Sequence, residues 1–346
     1  MLAILTVTVP FFALVAAGYA AAQRGVLPAS AVPGLNAFVL YFALPAMLFR
    51  FGMTTPLGEL LNPSVLAVYV LSALVLVAVA LAWAHRLGLG PQDAGFSALV
   101  AAFPNSGFMG VPLLVALMGP VAAGPVISSM LADFFVTSSL CLAWTQRQAP
   151  GRPGGSAGAL GGWRLLSTPL KNPMPWSIAL GAAVGALAIP LPGPVLAVVR
   201  MLADAASPVA LFTIGAVLWR AQQAPASARP TPDGGHPRPS PSSWRGVGPM
   251  ALLKLLLHPA LVWGLCQAAV AAGLPLGPGP IMALTLCAAL PSASNVSLLA
   301  ERQGADTGRV ARIILLSTVV AFLSFSAVAA LLGWQPQMAM GSTSTA

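Results

Sequence analysis

Long uncharged stretches of hydrophobic residues recur along the whole chain, separated by short segments rich in Gly, Pro and charged residues. Splitting them at this punctuation gives segments close to the roughly 20 residues that an α-helix needs to cross a bilayer. The pattern therefore predicts an all-α polytopic membrane protein with ten transmembrane helices. The predicted segments are 2–22, 33–51, 62–84, 95–118, 122–145, 174–190, 195–219, 249–271, 280–300 and 311–333.

The amino-acid composition agrees with this pattern. Hydrophobic residues make up 58% of the chain and charged residues 7%, whereas soluble domains contain about 25% charged residues. Cys141, Cys266 and Cys287 lie in separate apolar segments without CxxC spacing, so neither a disulfide framework nor a zinc site is expected. Nothing in the sequence indicates a metal or another cofactor.

The basic residues predict the orientation in the membrane. On the ten-span topology, all sixteen Lys and Arg except Arg50, Arg200 and Lys254 fall on one side. The positive-inside rule assigns that side to the cytoplasm, so both termini are expected outside the bacterial inner membrane. The net charge of +9 then reflects the basic residues on the cytoplasmic side of the lipid membrane, and no nucleic-acid partner is expected. Two polar linkers, 148–163 and 221–244, are expected to be mobile cytoplasmic loops.

The two halves of the chain repeat each other. The residues around Pro104 in the fourth span match those around Pro291 in the ninth at a shift of 187, and Pro45 and Pro208 hold equivalent earlier places. Because each repeat has an odd number of spans, the second enters the membrane from the opposite side. The predicted units are a first five-helix inverted repeat (1–147), a cytoplasmic linker (148–171) and a second repeat (172–346) with a cytoplasmic loop (221–246).

The prolines of the fourth and ninth spans interrupt charge-free helices in mid-membrane. Such a break loses backbone hydrogen bonds that lipid cannot replace, so it persists only beside protein or a polar cavity. The second half of each helix offers N–H donors and a positive dipole end to an anion. The pattern predicts a midplane site for a small organic anion, formed by Pro104, Asn105, Ser106, Gly107, Pro291, Ser292, Ser294 and Asn295. Two alternatives remain: the prolines merely kink the helices, and Gly107 and Gly110 serve ordinary helix packing.

Four ionisable residues lie inside predicted spans, where burial is costly and a function is the default interpretation. Asp133, Asp204, Lys254 and His258 are the candidates for coupling to H⁺ or Na⁺. Lys254 and His258 are four residues apart and share one helix face. Asp133 suits two roles, since it can carry a coupling proton or pair structurally with Lys254 or a neighbouring hydroxyl.

Motifs of enzymes and ATP-driven pumps are missing from the sequence. Lys171 and Lys254 each follow a leucine, so no phosphate-cradling Gly-Lys-Ser/Thr exists. Neither Asp133 nor Asp204 has the Gly-x-Gly-Asp setting of an intramembrane aspartyl protease. A secondary transporter is therefore favoured, and an anion channel or uniport facilitator using the same crossed-helix site is the alternative.

Three spans carry motifs that are typical of one family. The fourth matches a Pro-Asn-x-x-x-Met-Gly-x-Pro-Leu-Leu pattern at Pro104, Asn105, Met109, Gly110, Pro112, Leu113 and Leu114. The ninth and seventh match further patterns at Leu290, Pro291, Ala300, Gln303 and Gly304, and at Leu211, Phe212 and Gly215. In these motifs the chain resembles the auxin efflux carrier family, which includes the plant PIN-FORMED proteins and many bacterial permeases.

The resemblance implies a fold similar to that of bile acid/sodium symporters, with crossed, broken helices 4 and 9. It also implies a scaffold half, a transport half, an elevator-type alternating-access mechanism and a homodimer. The implied substrate is a carboxylate such as malate, malonate or an auxin-like acid. The chain lacks the large cytoplasmic domain of the plant members, which argues against auxin itself.

Overall fold

The computed structural model describes residues 2–146, 170, 172–223, 244 and 246–334. Within these ranges the chain forms helices and turns and no β-strand, apart from one isolated pair of bridged residues. A single helical turn, Leu57–Leu60, precedes the third helix. The main helices are α1 Leu2–Gln23, α2 Val32–Thr54, α3 Pro63–Arg86, α4 Pro91–Ala102, α5 Ser106–Met118, α6 Pro120–Thr145, α7 Pro173–Ala186, α8 Gly193–Gln223, α9 Val247–Ala271, α10 Pro278–Ala288, α11 Asn295–Gln303 and α12 Thr307–Leu331.

Among the described residues, 7 helices are long and apolar enough to cross a membrane, namely α1, α2, α3, α6, α8, α9 and α12. The chain is thus an integral membrane protein, as predicted. The predicted segments 95–118 and 280–300 each fall on two helices, α4 with α5 and α10 with α11. The ten-span inverted topology itself stays a prediction. The predicted loop 148–163 and most of 221–244 lie outside the described residues.

Local sequence explains where several helices begin. The first residue of α3, α4, α7 and α10 is a proline, whose missing N–H costs no intrahelical hydrogen bond at that position. The side chain of Asn62 caps α3 by accepting hydrogen bonds from the N–H groups of Ser64 and Val65 at 3.0 and 3.2 Å. Asn172 caps α7 in the same way.

Glycines bring two pairs of helices into backbone contact. A Cβ at Gly18 of α1 or at Gly215 of α8 would overlap the backbone of the other helix, and the same holds for Gly52 of α2 and Gly181 of α7. Gly18 and Gly181 are 163 positions apart, and so are Gly52 and Gly215. The two crossings therefore use equivalent glycines from the two halves of the sequence.

Helix packing sorts the chain into two groups. The helices α1, α2, α7 and α8 form one group, in which α1 packs on α8 and α2 on α7 most extensively. In the second group α3 packs on α4, α6 and α9, and α9 packs on α10. Each group contains helices from both halves of the sequence. The two predicted repeats thus interlock in space.

The interruptions predicted at Pro104 and Pro291 are complete breaks and not kinks. Residues 103–105, the first break, separate α4 from α5, and residues 289–294, the second break, separate α10 from α11. Phe103 is extended (φ −98°, ψ 101°), as expected for a residue before proline. Both breaks are buried in protein, which is the setting that irregular backbone requires at membrane depth.

Candidate functional site

The first and second breaks cross and pair through their backbones. The N–H of Asn105 donates to the carbonyl oxygen of Pro291 at 2.9 Å, and the N–H of Ala293 donates to that of Phe103 at 3.0 Å. Together these hydrogen bonds form an antiparallel bridge. Each break thus supplies partners for backbone groups that the other has removed from a helix.

Side chains of neighbouring helices support the crossing. The hydroxyl of Ser317 on α12 accepts a hydrogen bond from the N–H of Ser292 at 3.1 Å. A Cβ at Gly110 would lie 2.8 Å from Cδ1 of Leu290, so Gly110 serves close packing between α5 and the second break. At Gly107 the nearest atom to such a Cβ would be Sδ of Met130 at 3.5 Å, which leaves room on that side.

A narrow, partly open cavity lies beside the crossing. Of the predicted binding residues it is lined by Pro104, Asn105, Ser106, Gly107 and Asn295. Pro291, Ser292 and Ser294 do not line it and are buried in the second break. The remaining wall is formed by Phe103, Phe108, Met130, Phe134, Met174 and Ala293.

The polar side of this cavity is formed by the beginnings of α5 and α11. No side chain caps the first turn of either helix. In α11 the N–H groups of Val296 and Ser297 donate to carbonyl oxygens of the second break at 3.3 Å, so N–H donors at a positive dipole end belong mainly to α5. Oγ of Ser106 and Oδ1 of Asn295 are buried and make no hydrogen bond. Because buried polar atoms nearly always have a partner, the hydroxyl of Ser106 is available to donate to a ligand oxygen, whereas Oδ1 of Asn295 can only accept a hydrogen bond.

Asp133 lies at the start of a π-helical turn, Asp133–Thr137, inside α6. Its side chain is completely buried, and its carboxylate accepts hydrogen bonds from the hydroxyl groups of Tyr69 at 2.8 Å and Thr137 at 2.9 Å. The sequence suggested Lys254 or a neighbouring hydroxyl as the partner of Asp133, and the hydrogen-bond partners found are hydroxyl groups. π-Helical turns frequently occur at functional sites, so this geometry suits a structural and a coupling role alike.

Lys254 and His258 face each other on α9, as their spacing predicts. Both are completely buried, with Nζ of Lys254 3.1 Å from Nδ1 of His258. Nζ of Lys254 also donates to the carbonyl oxygen of Ala288, the last residue of α10, at 2.6 Å. Lys254 therefore connects α9 to the edge of the second break.

The structure separates Asp204 from the other ionisable residues. Its carboxylate forms an ion pair with Arg50 at 2.9 Å, and the two side chains are 68% and 38% exposed. The pair joins α8 to α2. Asp204 does not line the cavity and does not belong to the buried cluster around Asp133 and Lys254.

A comparison of the sequence with known families decides which class of protein carries this site. The sequence model of the family described as "Membrane transport protein" matches residues 3–157 and 164–328. The chain belongs to this family. The resemblance to auxin efflux carriers is thereby confirmed.

Another comparison relates this membrane transport protein to a named relative. A protein of Rhizobium meliloti (strain 1021) with the name "Putative malonate transporter" is 29% identical over 321 residues, which cover 90% of each chain. Together with the apolar helices, the family and this relative support a transporter and not an enzyme.

Sequence reasoning missed several residues of this membrane transport protein. The apolar cavity residues on α6 and α7, Met130, Phe134 and Met174, occur in the same context as any other buried side chain and carry no separate signal. Tyr69 carries one, because it is one of only 3 tyrosines and lies in the middle of an apolar segment. A phenolic hydroxyl at that depth needs a hydrogen-bond partner.

Proposed function

We propose that this protein is a secondary transporter for a small organic anion, which binds where the two breaks cross. One observation carries the proposal: the backbone pairing of the breaks brings Asn105 and Ser106 from one half of the chain and Asn295 from the other to the wall of a single narrow cavity. Membership of the membrane transport protein family supports a transport role. Crossed, broken helices are a general form of substrate site in such carriers.

The charge distribution around the cavity favours an anion. Residues at the beginnings of α5 and α11 line it, so the positive ends of two helix dipoles lie beside it, and α5 adds the N–H groups of its first turn. The amides of Asn105 and Asn295 add neutral N–H donors. Hydrogen bonds from such donors to a charged acceptor are about twice as strong as those between neutral groups. A carboxylate has two oxygen atoms and can use donors from both helices.

The rest of the cavity favours a compact organic molecule. Phe103, Phe134 and Met174 contribute apolar side chains to its wall. Apolar walls with a few placed polar groups are the usual form of a small-molecule site. We therefore assign a small carboxylate, with malonate as the first candidate because of the relative's name, ahead of malate and auxin-like acids.

The helix groups suggest how the site is exposed alternately to the two sides. We propose that α1, α2, α7 and α8, joined by the glycine crossings, form a scaffold, and that the helices carrying the breaks move against it as an elevator. The equivalent positions of Gly18 and Gly181 support two inverted repeats. Met174 of the scaffold lines the cavity, so the substrate would lie between the two groups.

The buried cluster of Tyr69, Asp133, Lys254 and His258 is our candidate for the coupling site. It lies in the proposed moving group, next to the second break. Asp204 has no place in it because its partner is Arg50 on α2. We retain the inner membrane, outward termini and a homodimer as parts of the proposal.

Transport by reconstituted protein tests this function. Proteoliposomes with wild-type protein should accumulate radiolabelled malonate and should exchange it by counterflow. Replacing the amide donor in Asn105→Ala should reduce the apparent affinity roughly tenfold or more, because one hydrogen bond to a charged group is lost. Asn36→Ala, an equal truncation on α2 that does not line the cavity, is the matched control and should transport normally.

The outcomes separate the transporter from its rivals. Malonate flux without counterflow would favour a channel. Normal uptake by Asn105→Ala at normal protein abundance would contradict the proposed site. If malonate is not carried, a thermal-shift screen of mono- and dicarboxylates identifies the substrate, since a ligand of the folded state raises the apparent melting temperature.

A further inference from the structure

Lys254 is an ionisable side chain buried within a membrane-spanning helix. It belongs to a π-helical turn of α9, Leu253–Leu257, and is completely buried. Its Nζ donates to the carbonyl oxygen of Ala288 at 2.6 Å and contacts His258 at 3.1 Å. Burying a Lys in a membrane span is costly unless its charge is compensated.

The end of α10 provides one part of that compensation. Ala288 is the last residue of α10, and the final carbonyl groups of a helix carry a partial negative charge. In carriers with broken helices, such C-terminal ends and unwound carbonyls are the groups that coordinate Na⁺. In this chain the donor at that carbonyl is the side chain of Lys254.

Asp133 provides the second part. Its carboxylate belongs to the same buried group of side chains, and its two oxygens accept the hydroxyl hydrogen bonds of Tyr69 and Thr137. The ring of Tyr69 lies 5.9 Å from that of His258, and Cys287 contacts Ser129 at 3.3 Å on the same side. The surroundings thus combine a carbonyl, a carboxylate and neutral groups, which suits one monovalent cation.

The first repeat has no counterpart of this arrangement. At the shift of 187 that relates the two breaks, the positions equivalent to Lys254 and His258 are Ala67 and Leu71, and the position equivalent to Asp133 is Val320. The charges therefore do not follow from the repeat: Lys254 and His258 are particular to the second repeat, and Asp133 is particular to the first.

We propose that the ammonium group of Lys254 is a built-in counter-cation, occupying the position at the end of α10 where a carrier of this architecture would bind Na⁺. Transport by this chain therefore needs no sodium ion. The inference rests on the proposed transport function, whose coupling ion it restricts. Lys254 acts on the substrate indirectly, as a positioning residue for the second break.

Melting temperatures without substrate test the cation site independently of transport. Purified wild-type protein should melt at the same temperature in sodium chloride as in choline chloride of equal ionic strength. A saturable rise that is specific for Na⁺ would overturn the inference and leave the transport proposal intact. Wild-type uptake that requires Na⁺ would overturn it as well.

The variant Lys254→Ala exposes the end of α10 to small cations. We expect a melting temperature several degrees lower and uptake reduced roughly tenfold or more, with both partly restored by Na⁺ and not by choline. A folded Lys254→Ala protein without any Na⁺ response would contradict the inference. Thr285→Val is the matched control, because Thr285 lies one turn before Ala288 on α10 and its hydroxyl donates a hydrogen bond to the carbonyl oxygen of Ile281 in the same helix. It should not respond to Na⁺.

A second variant keeps the test decisive if Lys254→Ala does not fold. Lys254→Met preserves most of the side-chain volume and leaves no room for an added cation. It should lose uptake both with and without Na⁺. Full uptake by Lys254→Met would show that the ammonium charge is dispensable and would overturn the inference.

Discussion

The N–H of Asn105 donates to the carbonyl oxygen of Pro291 at 2.9 Å, and this hydrogen bond joins the two interrupted helices of the protein. Each of the two residues lies at or next to the proline that ends its own regular helix. The hydrogen bond replaces a partner that an unbroken helix would have provided. It also fixes the backbone of Asn105 beside the cavity, so fold and candidate site depend on the same contact.

Substitutions at Gly107 should block the cavity without unfolding the protein. A Cβ there would meet one atom, Sδ of Met130, at an ordinary contact distance of 3.5 Å. Gly107→Ala should therefore keep near-normal stability, whereas Gly107→Leu fills the cavity and should abolish most uptake. Melting temperature and proteoliposome uptake measure the two effects. Full uptake by Gly107→Leu would show that the substrate does not use this cavity.

The hydrogen bond between Tyr69 and Asp133 should appear as an energetic coupling. Tyr69→Phe removes a donor to a buried carboxylate and should lower the free energy of unfolding by about 1.5–3 kcal/mol. In an Asp133→Asn background the same change should cost less, and a double-mutant cycle of melting temperatures measures the difference. Strict additivity would contradict a direct interaction. Tyr41→Phe, at a largely exposed tyrosine of α2, is the control and should be nearly neutral.

The close crossing of α1 and α8 should not tolerate a side chain. A Cβ on Gly215 would overlap backbone atoms of Val15 and Tyr19, which cannot move aside as a flexible side chain would. Gly215→Ala should lower the free energy of unfolding by about 1–3 kcal/mol. Gly264→Ala on α9 is the matched control, because no atom lies within 4 Å of its Cβ position. Equal melting temperatures of the two variants would refute the crossing.

Labelling of introduced cysteines tests the predicted orientation. Gly58 lies between α2 and α3 and Gly90 between α3 and α4, both exposed and with open space at the Cβ position. The natural cysteines Cys141, Cys266 and Cys287 are buried and should give little background. In right-side-out membrane vesicles, a membrane-impermeant maleimide should label Gly58→Cys directly and Gly90→Cys only after permeabilisation. The reverse pattern would place the termini inside.

The helices and their breaks were predictable because they depend on local physics. The length of an apolar run decides whether a helix can span a bilayer, and the geometry of proline decides where it stops. The ranges predicted around Pro104 and Pro291 therefore fall on the observed helix pairs. Asn105, Ser106 and Asn295 were predictable as cavity residues because they are polar residues at a break, but the same pattern also selected Ser292 and Ser294, which do not line the cavity.

The partners of the ionisable residues were decided by the tertiary structure. Tyr69 and Asp133 are 64 positions apart, and Arg50 and Asp204 are 154 apart, so no local pattern separates Asp204 from Asp133. The same holds for Gly18 and Gly215, two of 34 glycines whose importance becomes visible only where two helices touch.

The sequence alone determined a membrane-embedded helical chain with two polar interruptions, because hydrophobicity and proline act on neighbouring residues. Only the tertiary structure decided which residues meet at those interruptions, because each contact depends on how distant helices pack.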